Sequence, residues 1–358
     1  MNRIRVLVVE DSLTVRRRLV EVLEADSAIE VVGEAEDGQR AIELCLALKP
    51  DAITLDMMLP VMSGLAATEY LMAYCPTPIL VVSSSVNRGE LFKTYEALAA
   101  GALEVMEKPR ADEPEGEWER RFLSMVKLVA RIKVVTHLRG RRSGRAGEAP
   151  FAPGGTQARA VGQFDLDSLM ERRTGCRLIA LGTSTGGPSA ITEVLRALPA
   201  NFRIPILLVI HISEPFGSTF ADWLDGQTEH RVHLANDGED VPKDGVVMAP
   251  PNRHLIVRDR KLFLGHGPER HSCRPSVDVL FESVAREYGA TGAAVILTGM
   301  GQDGARGLLA VREAGGLTIA QDEATSIVYG MPREAAQLGA AQVVLPLAEI
   351  GPTLTRLG

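Results

Sequence analysis

Residues 177–188 read RLIALGTSTGGP. An unbroken apolar run, Leu178 to Leu181, passes directly into Gly182-Thr183-Ser184-Thr185-Gly186-Gly187, and a helical pattern starts at Pro188. A continuous apolar run without alternation marks a strand buried on both faces. A strand that turns through small residues into a helix is the repeating joint of an α/β domain. Downstream, further short apolar runs predict strands over 205–211, 232–235, 246–250, 255–258, 293–298, 317–320 and 342–345. Helical patterns separate several of them. Val277, Leu280, Phe281 and Val284 fall at i, i+3, i+4, i+7, one stripe of a helix. The stretch 231–266 is richer in strands and turns and is expected to hold a hairpin. A second α/β domain with a mainly parallel sheet is therefore predicted from about Cys176 onward.

The first 110 residues follow the same grammar. Apolar strands are expected over 5–10, 31–35, 52–55, 78–82 and 102–106, and Val15, Leu19, Val22 and Leu23 form one helical stripe between the first two. Five such units imply a doubly wound domain. A fifth helix is expected over 118–135. After it, HLRGRRSGRAGEAPFAPGGTQARA is rich in Gly, Arg, Ala and Pro and lacks apolar periodicity, so it reads as a flexible linker. Its Arg139, Arg141, Arg142 and Arg145 read first as solvated linker charge, with contact to an acidic partner as the alternative. The expected division is 1–125, a joining segment 126–172, and 173–358.

Composition narrows the class. With 39 Lys and Arg against 46 Asp and Glu the net charge is −7, which argues against nucleic acid or an anionic membrane as the main partner. Cys45, Cys75, Cys176 and Cys273 lie far apart in sequence without a CxxC pair, so free thiols are expected in place of zinc ligands or a disulfide framework. The opening MNRIRVLVVEDS is too short and too acidic for a signal peptide, and no apolar stretch nears the ~18–20 residues of a membrane span. The expected location is cytoplasmic.

Two sets of chemical groups sit at strand ends, where open parallel sheets gather function. The first comprises Glu10 and Asp11 after the first strand, Asp56 after the third, Ser83 at the fourth and Lys108-Pro109 at the fifth. Three converging carboxylates repel one another unless a cation is present, and Mg²⁺ accepts carboxylate and phosphate oxygens. A hydroxyl and an ammonium at the remaining corners are what a phosphoryl group on Asp56 would require. The second set is Ser184 on its glycine-lined turn, His211 after the apolar run 204–210, and Asp303 in LTGMGQDGARG. Each alone has a plain alternative: a phosphate-binding turn or helix cap for the serine, a core histidine, a turn-forming aspartate. Together they can supply nucleophile, base and orienting carboxylate. His254, His266, His271 and Cys273 show no compact metal-ligand spacing.

Residues 9–12 (VEDS), 55–60 (LDMMLP) and 107–109 (EKP) resemble the response-regulator receiver family over roughly residues 3–125. That resemblance implies a flavodoxin-like domain in which Asp56 accepts a phosphoryl group from a sensor histidine kinase of the CheA type. It also implies that Glu10, Asp11 and Asp56 hold Mg²⁺, that Lys108 contacts the phosphoryl group, and that Ser83 is the switch hydroxyl. Many members carry an aromatic residue three positions before the lysine; here it is Val105.

Residues 182–188 (GTSTGGP), 209–212 (VIHI), 248–255 (MAPPNRHL), 273–281 (CRPSVDVLF), 297–304 (LTGMGQDG) and 330–335 (GMPREA) resemble the CheB-type chemotaxis protein-glutamate methylesterases over about 176–347. By that resemblance Ser184 is nucleophile, His211 general base and acid, and Asp303 the orienting carboxylate. Thr185 and Met300 lie beside them and are expected to offer backbone N–H groups to an oxyanion. The implied substrates are glutamate γ-methyl esters, and in some relatives glutamines, on methyl-accepting chemotaxis receptors, in sensory adaptation. The esterase is expected to need no cofactor, and phosphorylation at Asp56 to relieve a cover over Ser184.

Overall fold

The computed structural model describes residues 3–84, 87–109, 116–132, 134, 175–212 and 214–358. The Arg139–Arg145 cluster and the rest of the expected linker lie outside the described residues.

The N-terminal unit alternates β1 (Ile4–Val9), α1 (Leu13–Glu24), β2 (Ile29–Ala35), α2 (Gly38–Leu48), β3 (Ala52–Leu55), α3 (Gly64–Tyr74), β4 (Ile79–Ser83), α4 (Arg88–Ala100), β5 (Glu104–Glu107) and α5 (Glu117–Val129). Its five strands run parallel in the order β2-β1-β3-β4-β5. The chain reverses direction across the sheet at β1, so the ends of β1 and β3 flank the crevice where doubly wound sheets bind ligands.

The C-terminal unit contains β6 (Leu178–Thr183), α6 (Gly187–Arg196), β7 (Ile206–Ile210), α7 (Phe216–Asp225), β8 (Val232–Leu234), β9 (Val246–Met248), β10 (His254–Arg258) and β11 (Lys261–Gly265). It continues with α8 (Val277–Tyr288), β12 (Gly292–Ile296), α9 (Ala305–Glu313), β13 (Leu317–Gln321), α10 (Met331–Gln337), β14 (Val343–Leu345) and α11 (Leu347–Thr355). Seven strands form a parallel sheet in the order β14-β13-β12-β6-β7-β9-β8. The expected hairpin is the antiparallel pair β10–β11. Here the switch point is β6, between β7 and β12.

Both α/β units thus have the predicted class, with boundary corrections that have local causes. The strand expected over 102–106 starts at Glu104, because Gly101 caps α4 with φ +117° and the Ala102 N–H turns back to Ala97 O. The helix expected over 118–135 ends at Val129. Its buried stripe of Trp118, Phe122, Val126 and Val129 runs out there, and Ala130–Ile132 form a turn.

The two units share one apolar core. Tyr95 on α4 packs edge-on against Phe220 (5.3 Å between ring centroids) and against Trp223 (5.7 Å) on α7. Its buried hydroxyl bonds to Phe216 O and Thr219 Oγ1. At the rim of the same contact Arg88 pairs with Asp222 at 3.0 Å.

Candidate active site

At the end of the N-terminal sheet, Glu10, Asp11 and Asp56 bring carboxylate oxygens within 4.8 Å of one another. Lys108 Nζ lies 2.9 Å from Asp56 Oδ2 and 2.9 Å from Glu10 Oε2. Burial pushes the Glu10 carboxyl up to about 7, helped by repulsion from Asp56 and opposed by Lys108. Asp56 is also raised by burial, with Lys108 pulling the other way. One oxygen, Asp56 Oδ1, is buried with no hydrogen-bond partner among the described residues. A hard divalent cation fits such a set: it would satisfy the orphan oxygen and relieve the raised carboxyls.

Ser83, expected to face a phosphoryl group on Asp56, ends β4 and is engaged elsewhere in this structure. Its buried hydroxyl donates to Glu90 Oε1 at 2.8 Å, and Glu90 also accepts from Ser84 N (3.0 Å) and Ser84 Oγ (2.6 Å). Glu90 sits in the first turn of α4, so in this state the hydroxyl is tied to the helix that packs on the C-terminal unit.

The second cluster is assembled by the sheet order. Ser184 follows β6 and His211 follows β7; these strands are neighbours, and His211 N donates to Thr183 O at 3.1 Å. Asp303 follows β12, on the other side of β6. The loop after β12 is stitched to the serine turn: Ser184 N and Thr183 Oγ1 donate to Thr298 O (3.1 and 2.7 Å), and Thr298 Oγ1 donates to Thr185 O at 3.0 Å. Two glycines permit this approach. Gly186 has φ +80°, and a Cβ on Gly299 would meet Ser184 Cβ at 2.9 Å.

His211 Nε2 lies 2.9 Å from Asp303 Oδ2. Asp303 is 2% exposed and receives Ser276 Oγ (2.7 Å), Val277 N (2.7 Å) and Asp278 N (3.1 Å). Its carboxylate thus sits on the N-terminus of α8, where unpaired N–H groups favour negative charge. Burial alone would raise Asp303, but His211 and these donors outweigh it and hold it below the usual carboxylate range. Burial alone would lower His211, but its contacts with Asp303 and Cys273 raise it to about 9. With Nε2 engaged, Nδ1 is the nitrogen left for proton transfer; Cys273 Sγ lies 3.6 Å from it. Thr185 is buried and Met300 is 49% exposed; the backbone N–H groups of both lack hydrogen-bond partners among the described residues.

Several neighbours carried no sequence signal. Cys45 and Cys75 are free but stand 3.9 Å apart, despite their separation in sequence. Cys273 reaches the His211 ring, and Glu104 of β5 accepts from Thr185 Oγ1 at 3.2 Å. Ser276 could have been found as an N-cap, since Ser before an apolar helical stripe is a standard start signal. His254, by contrast, spends both ring nitrogens structurally, on Pro268 O and Ser276 N.

Comparison with known proteins agrees in both halves. The family described as response regulator receiver domain matches residues 6–114, and CheB methylesterase matches residues 179–354. The chain is 39% identical to "Protein-glutamate methylesterase/protein-glutamine glutaminase 2" of Anaeromyxobacter dehalogenans (strain 2CP-C), covering 99% of this chain and 97% of that one. It is 41% identical to "Protein-glutamate methylesterase/protein-glutamine glutaminase 4" of Myxococcus xanthus (strain DK1622), covering 98% and 96%. Among solved structures, the Thermotoga maritima CheB methylesterase catalytic domain is 37% identical, covers 52% of this chain and all of its own, and superposes with a TM-score of 0.49. No helix among the described residues is long and apolar enough to cross a membrane. The chain belongs to the CheB methylesterase family, with a response-regulator receiver domain preceding the esterase domain.

Proposed function

We propose that this protein is a phosphorylation-regulated protein-glutamate methylesterase and glutaminase, acting in the cytoplasm on methyl-accepting chemotaxis receptors. Residues 1–125 form the regulator, 173–358 the hydrolase, and 126–172 join them. The observation that carries the reading is His211, bonded to Asp303 through Nε2 at the end of a strand that neighbours the strand leading to Ser184.

In the reaction, Ser184 Oγ attacks the γ-carbonyl carbon of a glutamyl methyl ester and its proton passes to His211 Nδ1. Asp303 holds the ring and stabilises the imidazolium. The charge that develops on the carbonyl oxygen is met by the N–H groups of Thr185 and Met300. The intermediate collapses with transfer of the His211 proton to the departing methoxide, which leaves as methanol. Water then adds to the acyl-serine, His211 taking and returning its proton, and releases glutamate. A glutamine side chain follows the same route and loses ammonia.

In the receiver, Glu10, Asp11 and Asp56 would hold Mg²⁺, which supplies charge neutralisation for phosphoryl transfer. Asp56 accepts the phosphoryl group from a CheA-type histidine kinase, Lys108 pairs with its oxygens, and Ser83 exchanges Glu90 for the phosphoryl group. The test is methanol release from methylated receptor preparations with and without a phosphoryl donor. Ser184→Ala abolishes release and leaves Asp56 phosphorylation intact; release from Ser184→Ala equal to wild type overturns the assignment.

A further inference from the structure

The side chain that reaches Thr185 from the other unit is chemically the same as the reaction product. Glu104 opens β5 of the receiver, and its Oε2 accepts the Thr185 hydroxyl at 3.2 Å. Thr185 directly follows the nucleophile, is 5% exposed, and is anchored through its carbonyl to Thr298. The other oxygen, Oε1, accepts the backbone N–H of Val105 at 3.2 Å, which fixes the direction of the carboxyl group.

We propose that Glu104 is a tethered mimic of the glutamate product, its carboxyl group held in the glutamyl subsite by the Thr185 hydroxyl. This deepens the proposed function and rests on it. Thr185 then has two tasks: its N–H faces the oxyanion, and its side chain reads an oxygen of the glutamyl carboxyl or ester. The receiver does more than obstruct the site by bulk, because it fills the subsite with the functional group the enzyme leaves behind.

The electrostatics support this placement. Burial raises the Glu104 carboxyl to about 7, against the opposing pull of the Val105 N–H, the Thr185 hydroxyl and His211. The attraction between Glu104 and His211 is reciprocal. An ionised Glu104 therefore favours imidazolium, the form of His211 that cannot take the Ser184 proton. Departure of the receiver would vacate the subsite and remove that charge together. Val105 belongs to the apolar core shared by the two units, so displacement of β5 would carry Glu104 with it.

The experiment uses the full unphosphorylated chain and two readouts: methanol release from methylated receptors, and the rate at which a fluorophosphonate labels Ser184. Glu104→Ala removes the carboxyl group. Glu104→Asp keeps the charge and the fold but draws the carboxyl back by one methylene. Both variants are expected to raise both rates about tenfold, the scale of one lost charge-assisted hydrogen bond, and to shrink the stimulation by phosphoryl donor correspondingly. A glutamate-containing receptor peptide should inhibit Glu104→Ala at concentrations that leave the wild type unaffected. Rates equal to wild type in both variants overturn the proposal. So does Glu104→Asp behaving as wild type while Glu104→Ala is fast, since that assigns the effect to interface charge. If the wild type and all variants neither label nor release methanol, with or without phosphoryl donor, the esterase reading itself fails. Labelling that is present and insensitive to Glu104 sinks only the product mimic.

Discussion

Ser83 donates its hydroxyl proton to Glu90 at 2.8 Å, while Asp56 is paired with Lys108 at 2.9 Å. Glu90 is buried at the start of α4, and α4 carries Tyr95 into the C-terminal unit. The Ser83 hydroxyl and the interdomain contact are therefore joined by one helix. This offers a route for the signal that does not need an aromatic residue at position 105.

Breaking the Ser83–Glu90 tie should favour the phosphorylated arrangement. A hydrogen bond to a charged group is worth about 1.5–3 kcal/mol. Glu90→Gln keeps the shape and removes the charge, so half-maximal stimulation of methanol release should need several-fold less small-molecule phosphoryl donor. An unchanged donor requirement would show that Ser83 is not released in the transition.

The His211 ring should set the pH dependence of activity on the alkaline side of neutrality. With a value of about 9, raised by Asp303 and Cys273 against the effect of burial, the ring is mostly protonated at neutral pH. Methanol release by the unphosphorylated chain should climb about tenfold per pH unit between 7 and 8, then level near 9. Cys273→Ser should move this limb to lower pH. The linkage sign is that of a raised base: the stability that His211 contributes is complete below pH ~6.5 and is lost as pH rises through 9. Thermal unfolding followed from pH 6 to 10 should show that decline, and Asp303→Asn should flatten it.

Cation binding in the receiver should be proton-linked. Glu10 titrates near 7 because it is buried beside Asp56, and a metal must displace that proton. The affinity for Mg²⁺, measured by calorimetry, should fall about tenfold between pH 8 and pH 6, and Glu10→Gln should remove this dependence. Without the ion, the raised carboxyl makes the folded state bind more protons than the unfolded state between pH ~4.5 and 7. Its contribution to stability therefore falls as pH rises through that window.

Ser276 is a positioning residue with two loads. Its hydroxyl donates to Asp303 at 2.7 Å and accepts from Val279 N as the N-cap of α8. Ser276→Ala should cost about 1 kcal/mol in unfolding experiments. It should also lower kcat several-fold with KM unchanged, because a less constrained Asp303 orients His211 less well. Ser276→Thr should restore kcat; a purely structural role would move stability and leave kcat alone.

Much of this protein could be read along the chain. Short apolar runs without alternation identify strands covered on both faces, and the groups at their ends are therefore at one edge of a sheet. That is why Glu10, Asp56, Ser184 and His211 could be named from sequence alone: each lies within two residues of a strand end, and strand periodicity is a local property. The N-cap at Ser276 and the stripe Val277–Val284 were equally local.

What tertiary structure alone decided concerns partners that no spacing encodes. Asp303 lies on the N-terminus of α8, Cys273 beside Nδ1 of His211, Ser83 against Glu90, and Glu104 against Thr185. Each contact joins different elements, and the last crosses the domain boundary from β5. A sequence states which chemistry stands at the end of each strand. Only the arrangement of strands and helices sets which ring nitrogen meets Asp303, which hydroxyl is already engaged, and whose carboxylate reaches Thr185.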